Sequence, residues 1–175
     1  MKSGYLAVVT TVGLLLWAGN ASAETKVDLK GTHLCCPACV KAVGEILKNI
    51  DGCTGKCDAK AGTVSITAKD DETAQKALDA LAAGGFHGTT DNNNLKIKDD
   101  SGAKAGKVKT LTVTGIHNCC GRCNGAIKSA VKKVEGVTGD TAKAKNDTFE
   151  VTGDFDAAEL IKALNNAGFH VKVKE

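Results

Sequence analysis

The segment Gly31-Thr-His-Leu-Cys-Cys-Pro-Ala-Cys39 returns as Gly115-Ile-His-Asn-Cys-Cys-Gly-Arg-Cys123, eighty-four residues further along a chain of 175. The repeat extends well beyond its cysteines. Ahead of each copy stands an alternating apolar pair, Val27/Leu29 and Leu111/Val113, the period-two pattern of a half-buried strand. Behind the first copy come Val43, Leu47 and Ile50, matched by Ile127, Val131 and Val134, apolar residues at i, i+4 and i+7 on one helical face. Gly52 and Gly136 stop those helices, and Val64/Ile66 and Phe149/Val151 give a second alternating strand. A second helix follows, carried by Ala74, Ala77, Leu78 and Leu81 and by Ala157, Leu160, Ile161 and Leu164. Asp70 or Asp71, and Asp154 or Asp156, stand at the N-cap, with Gly85 and Gly168 where the helix must end. Each copy closes on Gly-Phe-His, at residues 85–87 and 168–170.

This order of elements predicts an α+β chain of two tandem ferredoxin-like βαββαβ units. Each is expected to form a four-stranded antiparallel sheet with two helices on one face. Residues 24–91 make the first unit and 108–175 the second. The linker, 92–107, is rich in Asn, Asp, Lys and Gly, with Leu95 and Ile97 its main apolar residues. It reads as a solvated connection, with the alternating Leu95-Lys96-Ile97-Lys98 as an alternative edge strand. Residues 1–23 read as a signal peptide: Lys2, an apolar stretch from Leu6 to Trp17, and Ala21-Ser22-Ala23 as the small-x-small cleavage site. Periplasmic or secreted placement follows, with no membrane-embedded segment after cleavage, in a compartment where thiols tend to oxidise.

Composition removes several classes of function. Arg122 is the only arginine, and beyond Tyr5 and Trp17 the aromatics are Phe86, Phe149, Phe155 and Phe169. Stacking of bases or sugars and arginine-fork readout of a duplex therefore have little to work with, so no nucleic-acid partner is expected. A net charge of +3 selects no partner.

The chemistry lies in eight cysteines and four histidines. Six cysteines fall in the two repeated loops, with His33 beside Cys35, Cys36 and Cys39, and His117 beside Cys119, Cys120 and Cys123. Pro37 suits a first helical position, which puts Cys36 at the N-cap and Cys39 in the first turn; Cys120 and Cys123 repeat the arrangement. Thiols at a helix N-terminus ionise more readily and ligate soft cations. His87 and His170 occupy equivalent positions near the last strand of each unit and read as surface groups or as neighbours of a metal site. Phe86 and Phe169 read as shields of that site or as core. Cys53 and Cys57 have no counterparts in the second unit and read as a disulfide in a glycine-bearing turn.

These loops resemble the heavy-metal-associated domain, the family of copper chaperones and of the periplasmic mercury-binding protein. The resemblance covers both units and implies that Cys36/Cys39 and Cys120/Cys123 hold metal, about one ion per domain. It also implies exchange with a metal transporter or another metal protein as partner. The family loop runs G-M-x-C-x-x-C; here the Met is absent, two more residues precede the C-x-x-C, and a His and a Cys are added. Three thiolates suit trigonal Cu(I), and three thiolates with an imidazole suit Zn(II) or Cd(II), while two suit Cu(I) or Hg(II). Cu(I) is the favoured ion. Adjacent Cys35 and Cys36 are not expected to face one ion together, so one thiol of each pair bridges, backs the site or is oxidised.

Two other functions compete with a metal carrier or sequestering protein. One is a thiol–disulfide oxidoreductase using Cys36 and Cys39, although a thioredoxin-like site needs a cis-proline opposite its thiols and Pro37 is the only proline. The other is a structural module stapled by metal or disulfides. Haem attachment is excluded, because Val40 and Asn124 stand where a histidine must follow C-x-x-C.

Overall fold

Val27 and Leu29 turn inward from the first strand, opposite Ile66 and Val64 of an antiparallel neighbour, and all four are at most 2% exposed. From this pairing the first unit is assembled as β1 (Thr25–Lys30), α1 (Pro37–Lys48), β2 (Cys53–Asp58), β3 (Thr63–Ala68), α2 (Asp71–Ala83) and β4 (Thr89–Thr90). The second repeats it as β5 (Lys107–Thr114), α3 (Gly121–Val131), β6 (Val137–Asp140), β7 (Phe149–Asp156), α4 (Ala157–Asn166) and β8 (Lys172–Val173). The structure, a computed structural model, describes residues 23–174, so the expected signal peptide lies outside the described residues apart from Ala23.

Both sheets have one strand order, β2-β3-β1-β4 and β6-β7-β5-β8, with every neighbouring pair antiparallel. This is the expected α+β, ferredoxin-like arrangement in each unit. The helices pack on one another and on the sheet in each half, burying Cys39, Val43 and Leu47 of α1 and Cys123, Ile127 and Val131 of α3. Each fully enclosed Leu, Ile or Phe contributes about 1.5–3 kcal/mol, and the helix stripes read from sequence supply most of them. Ile50 and Val134 fall just past the helix ends rather than on the helices. Among the described residues no helix is long and apolar enough to cross a membrane.

The second helices settle their own ends. Asp70 caps α2 by accepting from the Thr73 N–H, and Asp156 caps α4 by accepting from the Ala158 and Glu159 N–H groups. At the other end Gly85 and Gly168 take φ of 82° and 86°. Phe86 then donates to Leu81 and Phe169 to Leu164, both at 3.0 Å, which closes each helix in a Schellman turn.

The connection between units is not left in solvent. Leu95 and Ile97 are 4% and 9% exposed, and Ser101 is buried. No strand forms there; instead the Gln75 side chain of α2 accepts from the Lys96 N–H and donates to the Lys96 carbonyl, as a neighbouring strand would. Further on, the Ser101 carbonyl accepts from the Val173 N–H at 2.8 Å, tying the strap to the second unit. The polar composition that reads as solvated is carried by Asn, Asp and Lys side chains facing out, while two apolar residues anchor the segment.

Candidate metal centre

Each metal loop joins the first strand of its unit to a helix whose first turn carries a thiol. In the first, Leu34 sinks into the core at 4% exposure and the Thr32 N–H donates to the Gly62 carbonyl, so the loop cannot swing away from the sheet. In the second, Asn118 takes the place of Leu34 and is held by its own donors, which reach Asn124 Oδ1 and the Lys143 carbonyl. Cys36 and Cys120 stand at the N-caps in extended conformation (φ −154° for both), as the loop spacing predicts. The thiols of Cys39 and Cys123, one turn in, share the buried face of their helices.

The two loops meet. Cys35 Sγ lies 3.4 Å from Cys123 Sγ and 3.8 Å from Cys120 Sγ, and Cys36 Sγ lies 3.6 Å from Cys119 Sγ. Cys39 Sγ approaches Cys119 at 3.6 Å and Cys123 at 3.8 Å. Within each loop the contacts are of the same order, 3.5 Å for Cys36–Cys39 and 3.7 Å for Cys120–Cys123. The six thiols make one cluster that belongs to neither unit alone. Cys35, Cys36 and Cys120 fall within 4.8 Å of one another, as do Cys119, Cys120 and Cys123. Contrary to the expectation that adjacent cysteines cannot face one ion together, Cys35 with Cys36, and Cys119 with Cys120, each fall in a triad whose sulfurs lie within 4.8 Å of one another.

What brings the loops together is the Gly-Phe-His closure of the opposite unit. Phe86 and Phe169 pair as an antiparallel bridge, with the His87 N–H donating to the Gly168 carbonyl (3.0 Å) and the His170 N–H to the Gly85 carbonyl (3.1 Å). Phe169 lies against the His33 ring and Phe86 against the His117 ring, each with centroids 4.4 Å apart. A Cβ on Gly85 would run into the backbone of Gly115 to His117, and one on Gly168 into that of Gly31 to His33. The contacts are reciprocal, so the units dock about an approximate twofold axis in the manner of an isologous dimer. Gly85 and Gly168 end their helices and Phe86 and Phe169 are buried, as the sequence predicts; the docking role is additional, and only the recurrence of the whole tripeptide hints at it.

His33 and His117 each keep a buried Nε2 without a partner, and a ring nitrogen of His33 falls within 4.8 Å of the Cys35 and Cys123 sulfurs as a third donor. Burial holds both rings below the ordinary histidine range, and for His33 the neighbouring His117 adds to the effect. Lowered in this way, both rings favour the neutral imidazole. His87 and His170 are employed elsewhere: their Nδ1 atoms are 3.3 Å apart across the dock, and His170 Nε2 lies 2.6 Å from Asp100 of the strap.

The expected disulfide of Cys53 and Cys57 is not made, and both thiols are free. They lie four residues apart on the extended β2, roughly 13 Å along the strand at about 3.3 Å per residue. A disulfide needs Cα atoms within about 7 Å. Their partners in β3 are Ala68 and Val64, and the two half-buried sulfurs pack along the core margin as small apolar groups. Burial raises both thiols above their ordinary acidity constant, which keeps them protonated.

Residues 109–170 match the family described as the heavy-metal-associated domain. That match covers the second unit, and the first shares its element and strand order in the structure. Nothing among curated proteins matches the sequence. Two solved structures from Bacillus subtilis are similar. The solution structure of the N-terminal soluble domains of CopA is 16% identical and covers 87% of this chain and 95% of that one, with a TM-score of 0.32. The water-soluble region of the P-type ATPase CopA is 17% identical and covers 87% and 93%, with a TM-score of 0.33.

Proposed function

We propose that this chain is an exported carrier or sequestering protein for soft metal ions, with Cu(I) ahead of Zn(II), Cd(II) and Hg(II). The observation that carries the reading is the gathering of six thiols from two loops into one cluster with spacings of 3.4–3.9 Å. Sulfurs at that separation are about as far apart as those around a single ion with ~2.3 Å bonds, roughly 3.8 Å in a tetrahedron and 4.0 Å in a trigonal plane. Soft thiolates select Cu(I) over hard ions, and neutral imidazoles at the margin suit the same group of metals. The family match of the second unit supports the same chemistry. Release to a partner, a transporter or another metal protein, proceeds by stepwise thiolate exchange at the half-exposed Cys36 and Cys120.

The test is a titration of the reduced chain, residues 24–175, against a Cu(I) chelator without oxygen, with Zn(II) and Cd(II) as competitors. Cu(I) is expected to be retained and to displace the other two, and Cys36→Ser with Cys39→Ser is expected to lower retention at least tenfold. Failure to hold any of the ions, together with efficient reduction of insulin disulfides, would overturn the reading in favour of an oxidoreductase. The mass of the protein recovered from the exporting cell's periplasm or medium tests the address, with Glu24 expected as its first residue.

A further inference from the structure

The six sulfurs have an ordered arrangement. Cys39 touches Cys35, Cys36, Cys119 and Cys123, and Cys123 touches Cys35, Cys39, Cys119 and Cys120, all between 3.5 and 3.9 Å except Cys35–Cys123 at 3.4 Å. The pairs Cys35/Cys119, Cys36/Cys123 and Cys39/Cys120 make no contact, and between them they use each sulfur once. Six points with three such diagonals are the corners of an octahedron. It is stretched along the Cys35–Cys36 and Cys119–Cys120 edges, whose members still lie within 4.8 Å of each other.

Four alternate faces of that octahedron are triads of thiols close enough to share an ion. Three of them are Cys35-Cys36-Cys120, Cys36-Cys39-Cys119 and Cys119-Cys120-Cys123. The fourth is Cys35-Cys39-Cys123, with edges of 3.9, 3.4 and 3.8 Å. Every sulfur belongs to two of the four faces. An ion centred in a triangle with such edges lies roughly 2.0–2.3 Å from each sulfur, close to the ~2.3 Å of a metal–thiolate bond.

We propose that the chain assembles one tetranuclear Cu(I)–thiolate cluster across the dock, an inference that rests on its reading as a soft-metal binder. Four trigonal ions occupy the alternate faces, and each of the six thiolates bridges two of them. Six sulfurs shared twice supply twelve bonds, three for each ion. Trigonal coordination completes the shell of Cu(I), whereas Zn(II) in the same faces would require a fourth donor at every ion. Assembly displaces six thiol protons for four Cu(I), moves no electron, and leaves a cluster of charge 2−. Helices α1 and α3 both begin at this cluster, and each N-terminus acts as about +0.5 of a charge. His33, whose buried Nε2 has no partner, has a ring nitrogen within 4.8 Å of the Cys35 and Cys123 sulfurs, at the margin of the cluster. The doubled cysteine thereby gains a purpose: two C-x-x-C pairs supply four sulfurs, and Cys35 with Cys119 complete the octahedron.

Native mass spectrometry of the reduced chain titrated with Cu(I) without oxygen tests this. The expected result is a jump from the metal-free chain to a four-copper species with little of the two-copper form between. X-ray absorption of that species is expected to show three sulfur neighbours and a copper–copper shell. The double variant Cys35→Ser with Cys119→Ser keeps both C-x-x-C pairs and is expected to fall to two copper ions without the copper–copper shell. Circular dichroism of the variant checks that the fold is kept, and the absorption measurement on the unaltered chain decides the matter even if the variant does not fold. Filling at two ions without a copper–copper shell would overturn the cluster while leaving the soft-metal reading intact. No retention of copper would overturn both.

Discussion

Neighbouring thiols in this centre differ in acidity because their immediate surroundings differ. The Cys39 backbone N–H, at the open start of α1, acts first among the groups that hold the Cys36 thiol below its ordinary value. The Cys123 N–H does the same for Cys120, which is brought down to about 6. Cys35 and Cys119 go the other way: burial raises both, and the adjoining Cys123 thiol raises them further. Cys39, enclosed and pressed against Cys36, is pushed up to about 11. A thiolate alkylates and a thiol does not. In the reduced, metal-free chain at neutral pH, iodoacetamide is therefore expected to label Cys120 first and Cys36 next, at least about tenfold faster than Cys35 and Cys119. Peptide mass mapping at short times reads the order, and the Cys120 rate should rise as pH passes about 6. Equal labelling of Cys35 and Cys120 would show that the helix starts do not set the acidity.

At the scale of elements, the Gly-Phe-His segments do two jobs, and one substitution separates them. Gly168 has φ 86° and carries no Cβ toward the His33 loop, where only backbone stands in the way. Gly168→Ala is expected to cost about 2 kcal/mol or more, from the left-handed conformation and the displaced loop together. The loss should appear as faster exchange of the His87 amide, whose acceptor is the Gly168 carbonyl, and as a larger radius in solution scattering. Gly44→Ala is the control: it lies on the exposed side of α1 with nothing within 4 Å, and is expected to stabilise by up to about 1 kcal/mol. A Gly168→Ala chain with the protection of the unaltered one would mean that the dock does not depend on this approach. The contrast also explains what sequence could disclose. Helix stripes, the N-cap cysteines and the glycine stops are local patterns; the structure agrees with the N-cap cysteines and with Gly85 and Gly168, whereas α1 and α3 end at Lys48 and Val131, a turn ahead of the expected stops at Gly52 and Gly136. The dock is a long-range contact, and a glycine needed for close approach looks the same in sequence as one needed to end a helix. Cys53 and Cys57 depart from the expected disulfide for a related reason. Gly52 and Gly55 suggest a turn, but pairing with Val64 and Ile66 of β3 holds that segment extended. The linker hides in its composition: Leu95 and Ile97 are too few to announce a buried strap, and the Gln75 clamp that holds it is twenty-one residues away.

For the molecule as a whole, the dock contains a proton-sensitive joint away from the thiols. His170 Nε2–H donates to Asp100, which Lys172 also holds at 2.7 Å. Across the dock one of the two Nδ1 atoms, of His87 and His170, must donate and the other accept. The contact accommodates one proton between the two Nδ1 atoms and not two. Burial, then repulsion from His170, lowers His87 from 6.5 to about 4, and Asp99 opposes the shift. The sign follows from linkage: the unfolded or undocked chain binds a proton at about 6.5 that the docked chain refuses until about 4. The stability that depends on neutral His87 is therefore complete above about 6.5 and is lost as pH falls toward 4. For a fully enclosed ring the shift corresponds to about 3 kcal/mol, and about 2 kcal/mol remains once the partial exposure of His87 is discounted. Thermal melts of the metal-free chain between pH 7.5 and pH 4.5 are expected to show a falling midpoint below about pH 6.5. In His87→Gln the amide can still hydrogen-bond His170 but has nothing to titrate, so the fall over that interval should shrink by about the same 2 kcal/mol. The carboxylates common to both proteins cancel in the comparison. Identical slopes in the two would assign the acid sensitivity elsewhere and leave the histidine pair a purely geometric contact between the units.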